Sequence, residues 1–278
     1  MKNQSALSYI LLVLVFLTGL SLLLYPTVSD RWNALHQSRV IQDYTREVDT
    51  LDNARYDAIW QEAQAYNAAI PERPNPYLLS EDEKERYEAL LNVNGTGIMG
   101  YIEIPGIGCT LPIYHGTDDS VLQAAVGHVE WSSLPVGGEG THAILSGHRG
   151  LPSARLFTDL DKLVPGDHFL LHVLNDTLTY EVDQIQIVSP EDMSKLQLLE
   201  GQDLCTLVTC TPYGINTHRL LVRGHRVENE TETPVRRVTA DAVRINPRLV
   251  ALTTAIPILV LTLFVIYLVN TIRRKKLR

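Results

Sequence analysis

A thiol that can act as a nucleophile and a guanidinium that can bind an anion lie at the ends of neighbouring predicted strands. Cys210 closes an apolar, β-branched run, and Arg219 opens the next apolar run after a loop that contains proline, glycine and asparagine. This pattern predicts a strand, a loop and a second strand. We therefore expect the thiol and the guanidinium to face each other across the mouth of a sheet.

A histidine in a similar setting supplies the proton chemistry that a thiol nucleophile needs. The apolar run 143–145 leads through Ser146 and Gly147 to His148, and Gly150 follows, so the imidazole is expected at a strand end. A thiolate attacks a carbonyl, an imidazole transfers the leaving-group proton, and a guanidinium stabilises the oxyanion. Each residue alone would be read as structural, but the three together favour a thiol acyl-transfer site.

These residues resemble the catalytic residues of the sortases, the thiol transpeptidases of the Gram-positive cell surface. The resemblance rests on Thr206-Leu207-Val208-Thr209-Cys210, which matches the family's Thr-Leu-x-Thr-Cys strand, on Arg219, and on Gly147-His148. It covers roughly residues 97–227. It implies that Cys210 is the nucleophile, His148 the general acid/base and Arg219 the oxyanion stabiliser. We expect no cofactor and no metal.

The other cysteines are predicted to be structural. The chain has three cysteines, so any pairing leaves an odd one. A bridge between Cys205 and Cys210 is excluded if both lie on one strand, because five residues at about 3.3 Å each exceed the reach of a disulfide. Cys205 and Cys109 are therefore expected to be packed thiols.

Two other chemistries are considered and not supported. His168 and His172 lie four residues apart beside Asp167, but no third ligand accompanies them, which argues against a metal site. No Gly-x-Ser-x-Gly motif surrounds Ser146, which argues against a serine hydrolase. With 32 acidic and 24 basic residues, the chain also lacks the basic character of a nucleic-acid-binding protein.

Apolar segments near both ends predict a membrane protein with two spans. Residues 1–29 contain the apolar run 6–25, which fits a signal-anchor better than a cleaved signal peptide because no small-x-small cleavage site follows it. Residues 249–278 contain a second apolar span and a basic tail, which we expect to be cytoplasmic. Both termini would then be cytoplasmic, with the catalytic domain extracellular.

Between the first span and the barrel, residues 30–96 are predicted to form a helical stalk and a lid. The apolar spacing over 31–69 indicates one amphipathic helix, and Ser80 with Glu83 forms a capping box for a second, which reaches about Leu91. Between the helices, Asn75-Pro76-Tyr77 resembles the Asp-Pro-aromatic lid of class C sortases. Because Asn75 lacks the carboxylate, we expect closure to rest on Tyr77 packing against His148 or the wall around Cys210. A plain proline-rich linker is the alternative.

The remaining segments complete the predicted fold. Residues 97–228 show the short, turn-punctuated strands of a closed barrel, with helical interruptions expected near 119–126, 156–160 and 193–199, and 229–248 form a polar linker. The fold class is mainly β: a closed eight-stranded sortase-type barrel with short helices, N-terminal helices and two transmembrane helices.

A second membrane span after the catalytic domain is an arrangement that resembles class C sortases, which polymerise pilins. The resemblance implies cleavage of a Leu-Pro-x-Thr-Gly-type sorting signal on surface proteins or pilins, through a Cys210 thioester that an amine resolves. The amine would be a pilin lysine. The alternatives are a sortase that attaches single proteins to a cell-wall precursor amine, and a membrane-anchored thiol hydrolase or inactive binding module.

Overall fold

A computed structural model describes residues 2–73, 75 and 77–229. The helices are α1 (Lys2–Val48), α2 (Asn53–Ala69), α3 (Glu81–Ala89) and α4 (Asp119–Leu122). The strands are β1 (Ile98–Ile104), β2 (Cys109–His115), β3 (Val126–His128), β4 (Thr141–Ser146), β5 (His168–Val173), β6 (Asp176–Val188), β7 (Asp203–Thr211) and β8 (His218–Val227).

The strands form a closed barrel in the order β1-β2-β3-β4-β7-β8-β6-β5, so the predicted eight-stranded barrel is confirmed. The pairs β2–β3 and β4–β7 are parallel, and the others are antiparallel. Closure leaves no free sheet edge. The β7–β8 pair, which carries the candidate cysteine and arginine, therefore lies inside a continuous hydrogen-bonded wall.

Side chains alternate between the two faces of this wall. Cys205 and Leu207 of β7 belong to the main core inside the barrel, whereas Val208 packs into a smaller apolar cluster with Ile144 of β4 and Leu221 of β8. Because successive strand residues point to opposite faces, Cys210 projects from the same outer face as Val208. The candidate site therefore lies on the outer face of β4, β7 and β8.

The predicted interruptions of the barrel are partly correct. Helix α4 lies within 119–126, and a short 3₁₀ helix at Leu160–Lys162 overlaps the end of 156–160. The helix expected near 193–199 is wrong, because that stretch forms turns. Groups in this stretch have partners on the barrel instead. Gln197 O accepts a hydrogen bond from His142 Nδ1 at 2.8 Å, and the Leu196 side chain belongs to the outer apolar cluster.

The stalk differs from the single amphipathic helix expected over 31–69. Helix α1 continues from the apolar run to Val48, and a break follows before α2. Asp52 starts α2 as its N-cap by accepting a hydrogen bond from Arg55 N at 2.8 Å. The capping box of α3 is confirmed: Ser80 Oγ accepts from Glu83 N at 3.3 Å, and Glu83 Oε2 accepts from Ser80 N at 2.8 Å. This helix ends at Ala89, two residues before the expected Leu91.

Buried polar side chains fix the helices on the barrel. The Tyr44 hydroxyl donates to Met99 O at 2.9 Å and accepts from Leu174 N at 2.8 Å. Asn67 makes two hydrogen bonds to the backbone of Leu134, at 3.0 and 2.7 Å. Because buried polar groups are costly to leave unpaired, these bonds specify one docking position for the helical segment.

One described helix is long and apolar enough to cross a membrane, and it occupies Tyr9–Val48 of α1. A compact unit begins at Pro26 and includes α2, α3 and the barrel. The predicted linker beyond residue 229 and the second predicted span, 249–278, lie outside the described residues.

Candidate functional site

The β7–β8 register pairs the two predicted catalytic residues directly. Cys210 and Arg219 are opposite each other across the antiparallel pair, next to Thr211 and His218 at the strand ends. Directly opposed residues on one face are close neighbours, with Cβ atoms about 4.5–5.5 Å apart. Cys210 is a free, half-buried cysteine. The thiol and the guanidinium thus share the mouth of one strand pair.

Local contacts leave the Arg219 charge without a carboxylate partner in the described part of the chain. Its Nη1 donates to two nearby backbone carbonyls, Asn216 O at 3.4 Å and His218 O at 3.1 Å. These bonds hold the guanidinium at the rim of the site. A planar cation bonded to neutral acceptors keeps donors available for an anion that develops beside it.

Backbone contacts bring His148 to the same edge. Gly147 N donates to Val208 O at 3.0 Å, and the Thr209 hydroxyl donates to Gly147 O at 2.7 Å. Strands β4 and β7 are parallel, with Ser146 paired to Val208. His148 lies two residues after Ser146 and Cys210 lies two residues after Val208, so both residues lie at the same end of the sheet. The structure therefore places all three predicted catalytic residues at one end of the β4–β7–β8 part of the barrel wall.

The turn that carries His148 is also packed from the opposite side. Phe157 N donates to His148 O at 3.1 Å. A Cβ atom on Gly147 would lie 2.6 Å from the Phe157 ring, so a larger residue would not fit there. Gly147 thus allows the close packing that fixes the position of the His148 backbone.

The other two cysteines lie in different environments. Cys205 is fully buried in the barrel core, and burial raises the pKa of its thiol well above the usual value. Burial also raises the pKa of Cys109 to about 12. A protonated thiol is a poor nucleophile, so the raised pKa values of Cys205 and Cys109 disfavour both of them as nucleophiles.

The histidines considered as metal ligands have other partners. His168 approaches Glu181 and His172 approaches Glu103, each at 3.5 Å, from strand β5. Burial lowers the pKa of His172 to about 4, so this ring is neutral near neutral pH. Within the described ranges, no group of three or more histidine, cysteine or acidic residues is arranged to hold a metal ion.

An apolar groove lies on the outer face of β4, β7 and β8, the face from which Cys210 projects. Its floor is the cluster of Ile144, Leu196 and Leu221, and the partly buried residues around it are Val129, Trp131, Val188, Met193 and Val208. A cavity of about 270 Å³ opens beside this cluster. Extended peptides bind in such grooves when apolar side chains can enter them.

The segment expected to form a lid lies at the cavity end of this groove. Tyr77 packs edge-on against Trp131, with ring centroids 5.2 Å apart, and both residues line the cavity. Tyr77 therefore meets Trp131, and within the described part of the chain it makes no ring contact with His148. The Asn75 side chain accepts a hydrogen bond from Tyr77 N at 3.1 Å, so it shapes its own turn. Pro76 lies outside the described residues.

Arg73 joins this segment to the barrel. Its Nη1 donates to Trp131 O at 3.3 Å, its Nε lies 3.3 Å from Glu83 Oε1, and its guanidinium stacks over the Tyr66 ring at 4.8 Å. The side chain is only 6% exposed. Arg73 and Tyr77 thus both contact Trp131, and both line the cavity.

Sequence reasoning missed several residues of this region. They are Trp131, which packs on the outer apolar cluster, and Arg149 and Tyr213, which contact each other beside the three predicted residues. Only their positions in the sequence could have indicated Arg149 and Tyr213: Arg149 follows His148 directly, and Tyr213 lies in the loop after Cys210. Their partners come from distant parts of the chain, which spacing does not reveal.

Known proteins share both sequence and fold with this chain. The sortase domain family matches residues 102–227. Sortase C1 from Streptococcus agalactiae is 53% identical, and the match covers 69% of this chain and 100% of that structure with a TM-score of 0.68. Sortase C from Streptococcus pneumoniae is 44% identical, covering 69% and 97%, with a TM-score of 0.63.

Curated relatives are more distant. Sortase D of Bacillus subtilis (strain 168) is 34% identical over 46% of this chain and 63% of that protein. Sortase A of Bacillus anthracis is 29% identical over 47% and 60%, so the chain spans less than two thirds of the length of these relatives. The barrel, the family match and the solved structures agree: the chain belongs to the sortase family and, within it, to class C.

Proposed function

We propose that this protein is a membrane-anchored cysteine transpeptidase that acts on sorting signals. The observation that carries the proposal is the directly opposed Cys210–Arg219 pair, with His148 delivered to the same edge by the β4–β7 pairing. Thiol, imidazole and guanidinium are the groups that covalent acyl transfer requires.

The reaction follows from these roles. The Cys210 thiolate attacks the threonine carbonyl of a Leu-Pro-x-Thr-Gly-type signal, and Arg219 binds the oxyanion. His148 protonates the glycine amine as the peptide bond breaks, which leaves a thioester on Cys210. An incoming amine gives a proton to His148 and attacks the thioester, which forms a new amide bond and frees the thiol.

The groove supports a peptide substrate. Its apolar floor lies on the same face as Cys210 and suits the leucine of the signal. Sortase C from Clostridium perfringens, 42% identical with a TM-score of 0.61, has been solved with the C-terminal cell wall sorting motif. We extend that class of ligand to this chain.

Tyr77 is proposed to restrict entry to the groove. Its ring contacts Trp131 edge-on and the residue lines the cavity while remaining 40% exposed, so Tyr77 touches the groove without being enclosed by it. Partial burial of an aromatic ring contributes less than the roughly 1.5–3 kcal/mol of full burial, which suits a segment that must open. Asn75, Pro76 and Tyr77 would thus form a lid.

The acceptor and location complete the proposal. Work on the Streptococcus pneumoniae relative concerns pilin substrate specificity, and we propose a pilin lysine as the amine here. The apolar helix Tyr9–Val48 would anchor the barrel outside the cell, with a second span after it and both termini in the cytoplasm.

The test is product analysis by mass spectrometry with the full chain in detergent micelles. A sorting-signal peptide would be offered with a pilin-derived lysine peptide, with a cell-wall precursor amine, or with neither. We expect a new amide with the lysine peptide. Transfer mainly to the precursor amine would favour single-protein anchoring, and hydrolysis unaffected by either amine would favour a thiol hydrolase.

A further inference from the structure

Arg149 is a buried cation at the boundary of the candidate site. It follows His148 directly, and its side chain is only 9% exposed. Burying a guanidinium is costly unless its donors are paired, and Arg149 Nε has no hydrogen-bond partner within the described ranges. The arrangement is therefore a poor source of stability, which directs attention to what the side chain connects.

Its three partners come from two separate segments, the short 3₁₀ helix at Leu160–Lys162 and residues 211–213. One terminal nitrogen is paired with the Asp161 carboxylate on the short 3₁₀ helix, and the other lies 3.5 Å from the Thr211 hydroxyl, the residue after Cys210. The guanidinium also stacks over the Tyr213 ring at 5.8 Å, in the β7–β8 loop. A planar, forked cation can make such contacts at once, which an ammonium group cannot.

The backbone on both sides of Arg149 is already constrained. Phe157 N bonds His148 O, and Gly150 N donates to the Thr158 hydroxyl at 3.2 Å. Gly150 has a φ of +75°, and a Cβ atom there would lie 3.0 Å from the Tyr213 ring. The His148 turn is thus held by the 157–158 segment, while the Arg149 side chain reaches toward the strand that carries Cys210.

We propose that Arg149 is a positioning residue that sets the separation between His148 and Cys210. It acts by joining the turn that carries the imidazole to Thr211 and Tyr213, which follow the thiol. Arg149 has this role only if Cys210 and His148 react together, so the inference rests on the proposed function. Arg219, which is opposite Cys210, remains the residue that contacts the oxyanion.

The experiment compares Arg149→Gln, Arg149→Lys and Asp161→Asn with wild type, all as full chains in detergent micelles. Arg155→Gln is the matched control. Arg155 also pairs with an aspartate, Asp159, which lies two residues before Asp161, but its side chain is 66% exposed. Among the described contacts it has none with the three predicted catalytic residues. We measure kcat and KM on a sorting-signal peptide, the thermal midpoint, and the pH dependence of Cys210 alkylation by iodoacetamide.

For Arg149→Gln we expect kcat to fall about 10- to 100-fold with KM within about twofold, because small displacements of catalytic groups have effects of this size. Arg149→Lys should recover only part of the loss, and Asp161→Asn should shift activity in the same direction. The midpoint of the alkylation profile should move in Arg149→Gln and stay fixed in Arg155→Gln.

A kcat within twofold of wild type in Arg149→Gln and Arg149→Lys would overturn the proposal. So would a loss that disappears at a temperature where the variants are fully folded. The alkylation profile needs no substrate, so it decides the role of Arg149 even if the peptide is not cleaved. Absence of peptide cleavage by wild type, with an Arg149-dependent profile, would instead count against the proposed function alone.

Discussion

Cys205 and Cys210 lie on the same strand, and the barrel gives their thiols opposite surroundings. Cys205 is fully buried opposite Gly224. The packing there is so close that a Cβ atom on Gly224 would lie 2.8 Å from the Phe169 ring. Cys210 is half-buried opposite Arg219 at the strand end. Because their separation is odd, strand alternation sends one thiol into the core and the other to the outer face.

The difference shows that position along the strand separates a structural thiol from a reactive one. In the interior, desolvation keeps the Cys205 thiol protonated and surrounding side chains exclude any reagent. At the mouth, the polypeptide leaves the sheet and the neighbour across the strand is a cation. The predictions below test this contrast.

The largest expected effect separates the two cysteines by activity. Cys210→Ala should abolish acyl-enzyme formation and peptide cleavage, with a change in the free energy of unfolding within about 2 kcal/mol, because the side chain is small and partly exposed. Cys205→Ala should retain cleavage and lose stability instead, since it leaves a small cavity in the core. Kinetics and thermal denaturation of both variants check this. Cleavage by Cys210→Ala would eliminate Cys210 as the nucleophile.

The cation opposite Cys210 should matter more than another arginine of the same strand. Arg219→Lys keeps the charge but loses the planar fork, so we expect kcat/KM to fall about tenfold to a thousandfold. Arg223→Lys is the control, because Arg223 is engaged with Asp183 at 3.0 and 2.7 Å. His148→Ala should be at least as damaging as Arg219→Lys. Equal activity of Arg219→Lys and wild type would remove the oxyanion role.

The thiols should also differ in reactivity toward a small alkylating reagent. Near neutral pH, one thiol per chain should react, and peptide mapping should locate it at Cys210. Cys109 and Cys205 should react only after denaturation, because burial raises the pKa of both thiols. Rapid labelling of Cys205 in the folded protein would contradict the contrast between core and mouth.

The smallest effect concerns access to the reactive thiol. Tyr77→Ala should speed Cys210 alkylation a few-fold by opening the groove beside Trp131, and Asn75→Ala should have a smaller effect. Leu78→Ala is the control, because Leu78 is adjacent and highly exposed. Identical rates in wild type and the Tyr77 variant would mean that the segment is a linker.

Local sequence patterns predicted the parts of the fold that depend on neighbours in the chain. The Ser80–Glu83 capping box and the Cys210-loop-Arg219 hairpin were both predictable, because each depends on residues a few positions apart. The strand pattern indicates a closed barrel, and the Thr-Leu-x-Thr-Cys resemblance adds that the barrel has eight strands.

The features that could not be predicted from the sequence depend on contacts between distant segments. Tyr77 meets Trp131, 54 positions later, and not His148, because Arg73 and α3 fix the segment at the cavity end of the groove. The break before α2 was missed because the apolar pattern continues through it. The 193–199 stretch has helical spacing, but its apolar side chains and Gln197 O are used by the outer face of the barrel.

The most direct test of the account is intact-mass analysis of the full chain with a sorting-signal peptide and no added amine. We predict an adduct equal to the peptide up to its threonine, mapped by digestion to Cys210, released by hydroxylamine and absent from Cys210→Ala. Formation of the same adduct by Cys210→Ala, its location on another residue, or peptide cleavage by that variant would contradict the central claim that Cys210 is the acyl carrier.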